Sequence, residues 1–492
     1  MTPTDQLTGV RVLCIGDVML DRFVTGHVRR ISPESPVPVL SISGTRSFPG
    51  GAANVARNVA SLGGLCCVVS VIGRDQAATE LQAILDGIEG ISSRLVVDAG
   101  RPTSEKIRFT AQGQHMLRAD AEVATAVDGA TAQRVIALIE GLVPDHDVVI
   151  LSDYAKGLLT DEVIRATVRA AKAHRVPLVV DPKSANLRRY AGATVITPNS
   201  KEVSDATGID PTEDDDEAER AGGVILNSTG VDAVLLTRAH RGMTLVGSGR
   251  PAAHIQASAR EVFDVVGAGD TVIAALSLAL GAKLDMSEAA RLANAAAGVV
   301  VGKAGTATVN QSELSDELAR LDAGSLAGFQ AKILSRSELL GLVRTWRKNG
   351  FKVGFTNGCF DILHVGHLSI LGFSKQHSGK LVVAVNSDAS VRRLKEAGRP
   401  INSEHDRAMV LAALAAVDAV VIFEEDTPLG LITELNPDVL VKGADYTLEN
   451  IVGADHVLAH GGRVLRCDIV KGKSTTAVVN QLRGKTPAPV GS

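Results

Sequence analysis

Apolar runs typical of buried strands alternate with stretches of helical spacing from the start of the chain to about Val309. The runs are VRVLCIGDVML, LCCVVSVIG, HDVVILSDY, VPLVVDPK, ATVITPNS and DAVLLTRAH. They are nearly continuous, as expected for strands that are covered on both faces. A stretch of helical spacing, DEVIRATVRAAKAHR, precedes the fourth run. This alternation predicts an α/β fold with a mostly parallel sheet and helices on both faces.

A second alternation begins after a polar, helical segment that extends from about Gln311 to Ser337. Five shorter runs follow, FKVGFTNG, KLVVAVNSD, AVDAVVIFEE, PDVLVKGADY and GRVLRCDIV, and a last helix is predicted from Thr475. Short strands separated by helices predict a small doubly wound, Rossmann-like nucleotide-binding domain. We therefore expect one domain over residues 1–320, a linker or helical boundary over 321–345, and a second domain over 346–492.

The composition of the 492-residue chain excludes several classes of function. Lys and Arg number 51 against 55 Asp and Glu, which argues against general binding to nucleic acid or anionic membranes. One Trp, three Tyr and ten Phe are too few for stacking on single-stranded nucleic acid. The five cysteines form no CxxC pair, which argues against a cysteine zinc site and fits a reducing compartment. With neither a signal peptide nor a membrane-length apolar stretch, we expect a soluble, cytoplasmic protein.

The segment DVVGAGDTVIAAL, Asp264 to Leu276, is the strongest candidate for chemistry in the first domain. Gly267, Ala268 and Gly269 lead into an apolar helix, and the N–H groups at such a helix start can bind phosphate. Asp270 follows in the first turn, where its carboxylate can take the proton of an attacking hydroxyl. The alternative is a glycine-rich turn with Asp270 as an ordinary helix cap.

Polar residues at other predicted strand ends extend this candidate site. The double glycine of PGGAANVARNVASLGG precedes a helix in which Asn54 can face a polyhydroxylated ligand. GDVMLDRF puts Asp17 and Asp21 just after the first strand, at the sheet edge where ligands bind in open α/β folds. For Arg108 and Lys183 the alternative is an ordinary surface position. The candidate sugar-phosphate contacts are Asp17, Asn54, Arg108 and Lys183.

Together with TPNSKE and TRAHRG, these segments resemble the ribokinase (PfkB-type) family of sugar kinases over the whole first domain. The resemblance implies a ribokinase-like fold and a kinase that uses ATP and Mg²⁺. It makes Asp270 the catalytic base and the glycines at Gly267 to Gly269 the anion hole. Val266 departs from the family, in which many members carry Thr or another small residue there. The ATP-binding residues implied are Asn199, Ser200, Lys201, Glu202, Gly267, Ala268, Gly269 and Asn294.

The second domain carries FTNGCFDILHVGHLSIL, Phe355 to Leu371. His364 and His367 lie three residues apart at the predicted start of a helix. Two imidazoles and a helix N-terminus in one pocket suit a triphosphate and the charge of a departing pyrophosphate. A zinc site is disfavoured because third and fourth ligands are not nearby. A pair of buried structural histidines is the alternative.

The end of the chain adds CDIVKGKSTTAVVN, in which GKST is not a P-loop, since that motif's first glycine would fall at Cys467. HxGH early and STT late resemble the nucleotidyltransferase family typified by glycerol-3-phosphate cytidylyltransferase, over Phe351 to Gln481. The resemblance makes His364 and His367 catalytic. The nucleotide-binding residues implied are Gly358, Cys359, Phe360, Asp361, Ser387, Asp388, Arg407, Lys442, Ser474, Thr475 and Thr476.

The fusion of these two domains resembles the bifunctional heptose kinase/adenylyltransferases of lipopolysaccharide core synthesis. That resemblance implies phosphorylation of D-glycero-β-D-manno-heptose 7-phosphate at C1, and adenylyl transfer from ATP to heptose 1-phosphate, giving ADP-heptose and pyrophosphate. It also implies Mg²⁺ with the ATP. Because the kinase product would carry two phosphates and the chain has no DxDx(T/V) phosphatase loop, we expect a separate 7-phosphatase in the pathway. We further expect a homodimer, assign no metal site to protein residues, and expect neither nucleic acid nor membrane as partner. The alternatives are another sugar kinase fused to a cytidylyl- or flavin-type nucleotidyltransferase, and a catalytically silent sugar-nucleotide sensor.

Overall fold

The computed structural model describes residues 3–258, 263–303, 305–323, 325–395 and 398–468. The chain divides into two compact units, residues 1–319 and 320–492. Each unit has a hydrophobic core of its own, built mainly from the buried faces of parallel strands and the helices that cover them. The two units are therefore described separately.

The first unit contains two sheets, of nine and of four strands. The strands are β1 (Arg11–Gly16), β2 (Val18–Ile31), β3 (Pro38–Gly51), β4 (Leu65–Ile72), β5 (Ile91–Val97), β6 (Glu105–Ala111), β7 (Gln114–Ala121), β8 (Val148–Ser152), β9 (Leu178–Asp181), β10 (Val195–Ile196), β11 (Ala233–Thr237), β12 (Met243–Gly247) and β13 (Ala253–Ile255).

The larger sheet has the strand order β13-β12-β11-β10-β9-β8-β1-β4-β5. Neighbouring strands are parallel from β11 to β5, and the edge strands β12 and β13 are antiparallel. Each of the six apolar runs of the first half contributes one strand to this sheet, which confirms the predicted mostly parallel α/β architecture, and the end of the first run continues into β2 of the smaller sheet. Their continuity reflects burial on both faces, because every residue of β8 is buried.

The smaller sheet has the order β3-β2-β6-β7 and was not predicted from the sequence. Its strands are partly exposed: β2 alternates between buried and exposed positions after Val24, and every residue of β7 is exposed. Such strands are rich in charged residues and lack the continuous apolar run used to recognise the others. This sheet supplies one wall of the cavity described below.

Helices cover the larger sheet, and predicted DEVIRATVRAAKAHR forms one of them, begun by Thr160, whose hydroxyl accepts the N–H of Val163 at 3.2 Å. None of the helices within the described ranges is long and apolar enough to cross a membrane. The helices are α1 (Ala52–Ser61), α2 (Gln76–Asp86), α3 (Gly129–Leu142), α4 (Asp161–His174), α5 (Ser200–Thr207), α6 (Asp215–Thr229), α7 (Ala268–Gly281), α8 (Met286–Val301) and α9 (Gln311–Ala323).

The second unit is a single parallel sheet with helices between its strands. Its elements are α10 (Leu326–Gln330), β14 (Ile333–Leu334), α11 (Arg336–Lys348), β15 (Val353–Gly358), α12 (Val365–Gln376), β16 (Lys380–Asn386), α13 (Asp388–Leu394), α14 (Glu404–Ala412), β17 (Ala419–Phe423), α15 (Leu429–Leu435), β18 (Val439–Gly443), α16 (Ala454–Ala459) and β19 (Arg463–Cys467).

The strand order β14-β17-β16-β15-β18-β19 is that of a doubly wound fold, with the chain reversing direction across the sheet beside β15. The five predicted strands are present, and β14 is an additional one at the edge. A ligand site is expected at the carboxyl ends of the central strands, where the order reverses.

The predicted linker over residues 321–345 is largely part of the second unit. Ile333 of β14 pairs with Val420 of β17. Helix α11 buries Leu339, Val343 and Trp346 in the core of this unit. The spacing of these three residues, i, i+4 and i+7, marks one apolar face of an amphipathic helix. The other faces of the helix are polar, and these polar residues led to the prediction of a linker.

Candidate active sites

A cavity of about 270 Å³ opens at the carboxyl ends of the central strands of the first unit and at the N-terminus of α7. Residues from both sheets line it, so that the smaller sheet faces the start of α7 across the cavity. Its polar lining is dense and carries both signs of charge. The polar and glycine residues lining it include Asp21, Gly50, Gly51, Asn54, Lys106, Arg108, Asp153, Tyr154, Asp181, Lys183, Asn199, Glu202, Gly267, Gly269 and Asp270.

Both carboxylate oxygens of Asp270 accept a hydrogen bond in this cavity. Asn54 Nδ2 donates to its Oδ2 at 2.6 Å, and the Tyr154 hydroxyl donates to its Oδ1. Burial raises the pKa of Asp270 to about 6, although these two hydrogen bonds favour the charged form. A carboxylate with such a pKa is largely ionised near neutral pH and is a strong enough base to accept a hydroxyl proton.

The start of α7 is arranged for an anion. Gly267 adopts φ +82°, a left-handed conformation that favours glycine, and the helix begins at Ala268. Gly267 and Gly269 line the cavity, whereas Ala268 is not among the described lining residues. The carboxylate of Asp270 bonds to Asn54 and Tyr154, so the alternative of an ordinary helix cap is not supported. The first turn of α7 thus borders the cavity, and the N–H groups at a helix start can bind an anion.

Of the two aspartates that follow β1, the structure brings Asp21 to the cavity and not Asp17. The Asp17 carboxylate accepts backbone N–H groups from Tyr154, Lys156 and Leu158 at 3.0–3.2 Å. It is 5% exposed, and this burial raises its pKa. The prediction of Asp17 as a sugar-phosphate contact is therefore corrected, because all of its hydrogen bonds hold a loop.

Asp21 takes the predicted place of Asp17, and two of the other candidate contacts lie beside it. Arg108 Nη1 donates to Asp21 Oδ1 at 2.6 Å, across the pairing of β2 with β6. Lys183 lies on another wall, with its Nζ 3.1 Å from Glu202 Oε1. Asn54, Arg108 and Lys183 thus line the cavity, and each has a polar partner in it.

Only part of the predicted ATP-binding segment lines the cavity among the described residues. Asn199 and Glu202 form a reciprocal capping box at the start of α5, with both hydrogen bonds at 3.0 Å, and both residues line the cavity. The Ser200 hydroxyl donates to the Thr237 carbonyl at 3.1 Å. Lys201 is 82% exposed and pairs with Asp205, so its side chain lies away from this cavity.

Asn294 is buried in α8 and is not one of the described residues that line the cavity. Its Nδ2 donates to the carbonyl of Gln256 at 2.9 Å, and its own carbonyl accepts from Ser258. These bonds hold the chain that follows β13. Val266, the noted departure from the family pattern, lines the cavity.

Sequence reasoning assigned no role to Asp153, Tyr154 and Asp181, which also line this cavity. Burial and the nearby Asp270 and Glu202 carboxylates raise the pKa of Asp181 well above its ordinary value. All three directly follow predicted strands, in HDVVILSDY and VPLVVDPK. Applying the rule of strand carboxyl ends to every run would have identified them.

The second unit has a larger cavity, of about 940 Å³, at the carboxyl ends of β15, β16 and β18. It contains both histidines of the HxGH segment and most of the GCFD segment. Its polar lining residues and those predicted from the sequence include Asn357, Gly358, Cys359, Phe360, Asp361, His364, His367, Asn386, Lys395, Arg399, Lys442, Asp445 and Tyr446.

The two histidine rings stack at the start of α12, with centroids 3.9 Å apart. The backbone N–H of His364 donates to Nδ1 of His367 at 3.4 Å, which places the proton of the neutral His367 ring on Nε2. Burial, and then the neighbouring His364, lower the pKa of His367 to about 4. Nδ1 of His364 is buried without a hydrogen-bond partner among the described residues. The His367 ring therefore offers a neutral Nε2–H donor to an anionic ligand.

The residues of the GCFD segment line the cavity, and the last of them also holds a neighbouring part of the chain. Gly358, Cys359 and Phe360 line the cavity, and the Phe360 ring packs against His367. Asp361 also reaches the lining, but its carboxylate pairs with Arg399 and accepts the N–H groups of Ile401 and Asn402. Asp361 therefore anchors the chain before α14.

Arg407, predicted to contact phosphates, is 2% exposed. Its Nη1 donates to the carbonyls of Cys359 and Asn386, and its Nη2 pairs with Asp388 at 2.7 Å. Ser387 caps α13 by accepting the Ser390 N–H. Arg407, Ser387 and Asp388 are absent from the described lining, and their hydrogen bonds connect α14 and α13 to the strand ends that form the site. Their contact with the nucleotide stays a prediction.

Lys442 is the predicted basic residue that does reach the cavity. Its Nζ donates to the carbonyl of Asn357 at 2.9 Å, and burial lowers its pKa to about 8. Lys395, which lines the same cavity, was not predicted because it follows a helix of ordinary charged pattern. Ser474, Thr475 and Thr476 lie outside the described residues.

Comparisons with known proteins agree with this division. The model of the pfkB family of carbohydrate kinases matches residues 10–313, and the cytidylyltransferase-like model matches residues 355–476. The chain is 47% identical to the bifunctional protein HldE of Rhodospirillum rubrum over 479 residues, covering 97% of this chain and 96% of that one. Identity to HldE of Mesorhizobium japonicum is 50%, over 96% and 95% of the two chains.

Solved structures resemble the first unit in fold. Phosphofructokinase-2 of Escherichia coli in complex with fructose-6-phosphate matches with a TM-score of 0.52 at 19% identity, covering 64% of this chain and 99% of that one. Ribokinase of Giardia lamblia matches with the same TM-score and identity, over 64% and 100% of the two chains. The ribokinase-like fold predicted for the first domain is thereby confirmed.

Proposed function

The chain belongs to the HldE family of bifunctional proteins, which join a carbohydrate kinase to a nucleotidyltransferase. We propose that each of the two cavities carries out one of these two reactions. The first unit phosphorylates heptose 7-phosphate at C1 with ATP. The second transfers the adenylyl group of ATP to heptose 1-phosphate and releases pyrophosphate. The observation that carries the proposal is the pair of separate cavities, one with Asp270 at an anion-binding helix start and one with the HxGH histidines.

In the kinase, Asp270 is the general base. It takes the proton of the C1 hydroxyl as that oxygen attacks the γ-phosphorus of ATP, and ADP leaves with the electron pair of the broken bond. The N–H groups at the start of α7, with Gly267 and Gly269, hold the charge on the transferred phosphoryl group. General base and anion hole are thus adjacent in one helical turn.

The sugar phosphate lies between the smaller sheet and the start of α7. Asp21 accepts hydrogen bonds from sugar hydroxyls, and Arg108 beside it and Lys183 opposite it supply positive charge for a phosphate. Asn54 reaches both the sugar side of the cavity and the Asp270 carboxylate. ATP enters along Asn199 and Glu202.

Mg²⁺ bound with ATP fits the first cavity. The carboxylates of Asp181 and Glu202 line it together. Burial, and then the charges of Asp270 and Glu202, raise the pKa of Asp181, and a cation would relieve this repulsion. Mg²⁺ is commonly held by one or two carboxylates and the substrate phosphates, with water completing the shell. Asp181 and Glu202 would hold it, and it would neutralise charge on the transferred phosphate.

In the transferase, the neutral histidines donate to the triphosphate. The Nε2–H of His367 would donate to the charge that develops as pyrophosphate departs, and His364 lines the cavity beside it. Lys442 lies close enough to Tyr446 for a cation–π contact and adds positive charge on the β18 side of the cavity. Ser474, Thr475 and Thr476 retain their predicted role as phosphate ligands within this proposal.

The test follows phosphorus directly. Purified protein is given heptose 7-phosphate and ATP, and ³¹P NMR is expected to show the 1,7-bisphosphate. Given heptose 1-phosphate and ATP, it should show the ADP-heptose diphosphate and free pyrophosphate. Replacing ATP by CTP, and heptose by other sugar phosphates, tests the alternative of a different kinase–transferase fusion. Absence of turnover on every substrate would favour the sensor alternative and refute the proposal.

We also propose a homodimer located in the cytoplasm. The smaller sheet exposes large apolar side chains, including Ile31, Ile42 and Leu117, at 59–63% of their surface, and a second copy could cover them. The five cysteines are free, which suits a reducing compartment. Size-exclusion chromatography with light scattering measures the first property, and cell fractionation measures the second.

A further inference from the structure

The loop over residues 153–158, which follows β8, is anchored at two points. The buried Asp17 carboxylate accepts three of its backbone N–H groups, those of Tyr154, Lys156 and Leu158. The Asp153 carboxylate accepts the N–H of Ala155 at 2.7 Å, and Ala155 adopts φ +55°, in the left-handed region. A loop held in this way presents its side chains in one conformation.

The side chain that this loop presents to the cavity is Tyr154. Its hydroxyl donates to Oδ1 of Asp270, while Asn54 Nδ2 donates to Oδ2. Burial, and then the Asp270 charge, raise the pKa of Tyr154 well above its ordinary value, so the phenol keeps its proton. Each oxygen of Asp270 therefore accepts one hydrogen bond and keeps a lone pair for the substrate.

Asn54 is held in turn from its other side. Arg57 Nη1 donates to Asn54 Oδ1 at 3.3 Å, which directs Nδ2 at the carboxylate. The two donors approach Asp270 from different elements, Asn54 from α1 and Tyr154 from the loop after β8. Together they fix the plane of the carboxylate, which a single donor would leave free to rotate.

We propose that Tyr154 is a positioning residue of the kinase, which holds the Asp270 carboxylate in its ionised, substrate-facing orientation, and that Asp17 acts through Tyr154 by anchoring its loop. The proposal rests on the role of Asp270 as general base. Tyr154 contributes no proton to the reaction; it stabilises the charged base before the sugar hydroxyl arrives. A phenylalanine in its place would fill the same space and lose only this hydrogen bond.

Other charges around the cavity act on the same carboxylate and stay unchanged in such a variant. The acidic ones are Asp21 on β2, Asp153 and Asp181 at strand ends, and Glu202 on α5; the basic ones are Lys106 and Arg108 on β6 and Lys183 after β9.

The experiment measures kinase kcat/KM against pH for the wild type and for Tyr154→Phe, in the full chain. Loss of the donor should move the acid limb upward by roughly one pH unit, since a hydrogen bond to the charged form lowers a pKa. It should also lower kcat by about tenfold, with the KM for both substrates nearly unchanged. Tyr190→Phe is the comparison variant, because the Tyr190 hydroxyl donates to Asp153 at 2.5 Å and not to Asp270. Its acid limb should move less than that of Tyr154→Phe, because the loop keeps its three bonds to Asp17 and Asp270 keeps the Tyr154 hydroxyl.

Asp17→Asn should move the limb in the same direction as Tyr154→Phe, since it weakens the anchor of the loop. An unshifted limb in folded Tyr154→Phe, or an equal shift in Tyr190→Phe, would overturn the proposal for Tyr154; an unshifted limb in Asp17→Asn would overturn the anchoring role. Asp270→Asn distinguishes a failure of the general-base assignment from a failure of the positioning role of Tyr154. If that variant keeps the kinase activity, the proposed base is wrong, whereas its inactivity beside an unaltered Tyr154→Phe refutes the positioning role alone.

Discussion

Three aspartates of one cavity region show how the surroundings of a side chain decide its use. The Asp17 carboxylate accepts three backbone N–H groups, and Asp21 pairs with Arg108 at the cavity wall. Asp270 lies in the first turn of α7 and lines the cavity. The sequence places Asp17 and Asp21 alike, just after a strand. Only the hydrogen-bond partners, which come from residues far along the chain, distinguish a loop anchor from a ligand contact.

At this scale the pKa of Asp270 makes a prediction for the kinase. The pKa is raised to about 6 by burial, and the base acts only when ionised. Kinase kcat/KM should therefore rise with pH through about 6 and become level above it, since it reports the free enzyme. Initial rates in a series of buffers of constant ionic strength measure this. A profile that is already level down to pH 4.5 or so would contradict the environment described for Asp270.

For the transferase, the environment of His367 predicts that this ring causes no pH dependence near neutrality. Burial lowers the pKa of His367 to about 4, so this ring is neutral throughout the range near neutrality. Transferase kcat/KM should show no limb from His367 between about pH 6 and 8, whereas an ordinary histidine would give one near 6.5. Proton NMR of the His367 ring in the free protein gives an independent measurement. A titration midpoint near 6.5 would show that the ring is exposed.

At the scale of elements, continuous apolar runs predicted the strands that both layers of helices bury. The four-stranded sheet of β2, β3, β6 and β7 escaped prediction because its strands are half-exposed and charged. Its contribution to the cavity, through Asp21 and Arg108, depends on the register of β2 with β6, which no local pattern encodes. Motifs confined to one strand end and one helix start, such as GAGD and HxGH, could be placed on the fold from sequence alone.

Arg407 of α14 was recognised from its sequence motif, but the sequence did not predict its contacts in the fold. Arg407 connects α14 to the carbonyls of Cys359 and Asn386 and to Asp388. Arg407→Ala should lower the free energy of unfolding of the second unit by about 3 kcal/mol, because a buried ion pair and two buried carbonyls lose their partner. Chemical denaturation followed by Trp346 fluorescence measures this, since Trp346 lies in the core of that unit.

The same variant separates support from ligand binding. If Arg407 contacted phosphates, its removal would raise the KM for ATP in the transferase reaction and leave stability nearly unchanged. A supporting residue gives the reverse, with a fall in stability and a smaller amount of folded transferase. Arg393→Ala is a suitable control, because Arg393 lies in the same unit, is half-exposed and pairs with Asp426 on the surface. It should change the free energy of unfolding by less than about 0.5 kcal/mol.

At the scale of the whole molecule, each unit has its own core and its own cavity. The two activities should therefore be separable by single substitutions. Asp270→Asn should lower the kinase rate about 10²–10⁴-fold through loss of the general base and leave adenylyl transfer intact. His367→Ala should do the reverse. Coupled assays for ADP and for pyrophosphate on each variant measure both reactions, and loss of both activities in either folded variant would point to a shared site.

The two reactions do not join without a further step. The kinase acts on a sugar that already carries a 7-phosphate, so its product carries two phosphates, whereas the transferase uses a sugar with the 1-phosphate alone. The 7-phosphate must therefore be hydrolysed between the two reactions. Each cavity is assigned to another reaction: in the first, Asp270 accepts the proton of a sugar hydroxyl, and in the second, the histidines stabilise the departing pyrophosphate. A separate phosphatase is therefore the expected partner of this protein.

The pure protein, given heptose 7-phosphate and excess ATP, should stop at the 1,7-bisphosphate. ³¹P NMR would show two phosphomonoester signals from the sugar and none from a sugar diphosphate. Adding a phosphatase that removes the 7-phosphate should start release of pyrophosphate and formation of ADP-heptose. His367→Ala with the same phosphatase should accumulate heptose 1-phosphate instead, which assigns the second step to the second unit. If the pure protein, freed of contaminating phosphatase, makes ADP-heptose from the 7-phosphate, the transferase accepts the bisphosphate or one cavity hydrolyses it, and the division of chemistry between the two units has to be redrawn.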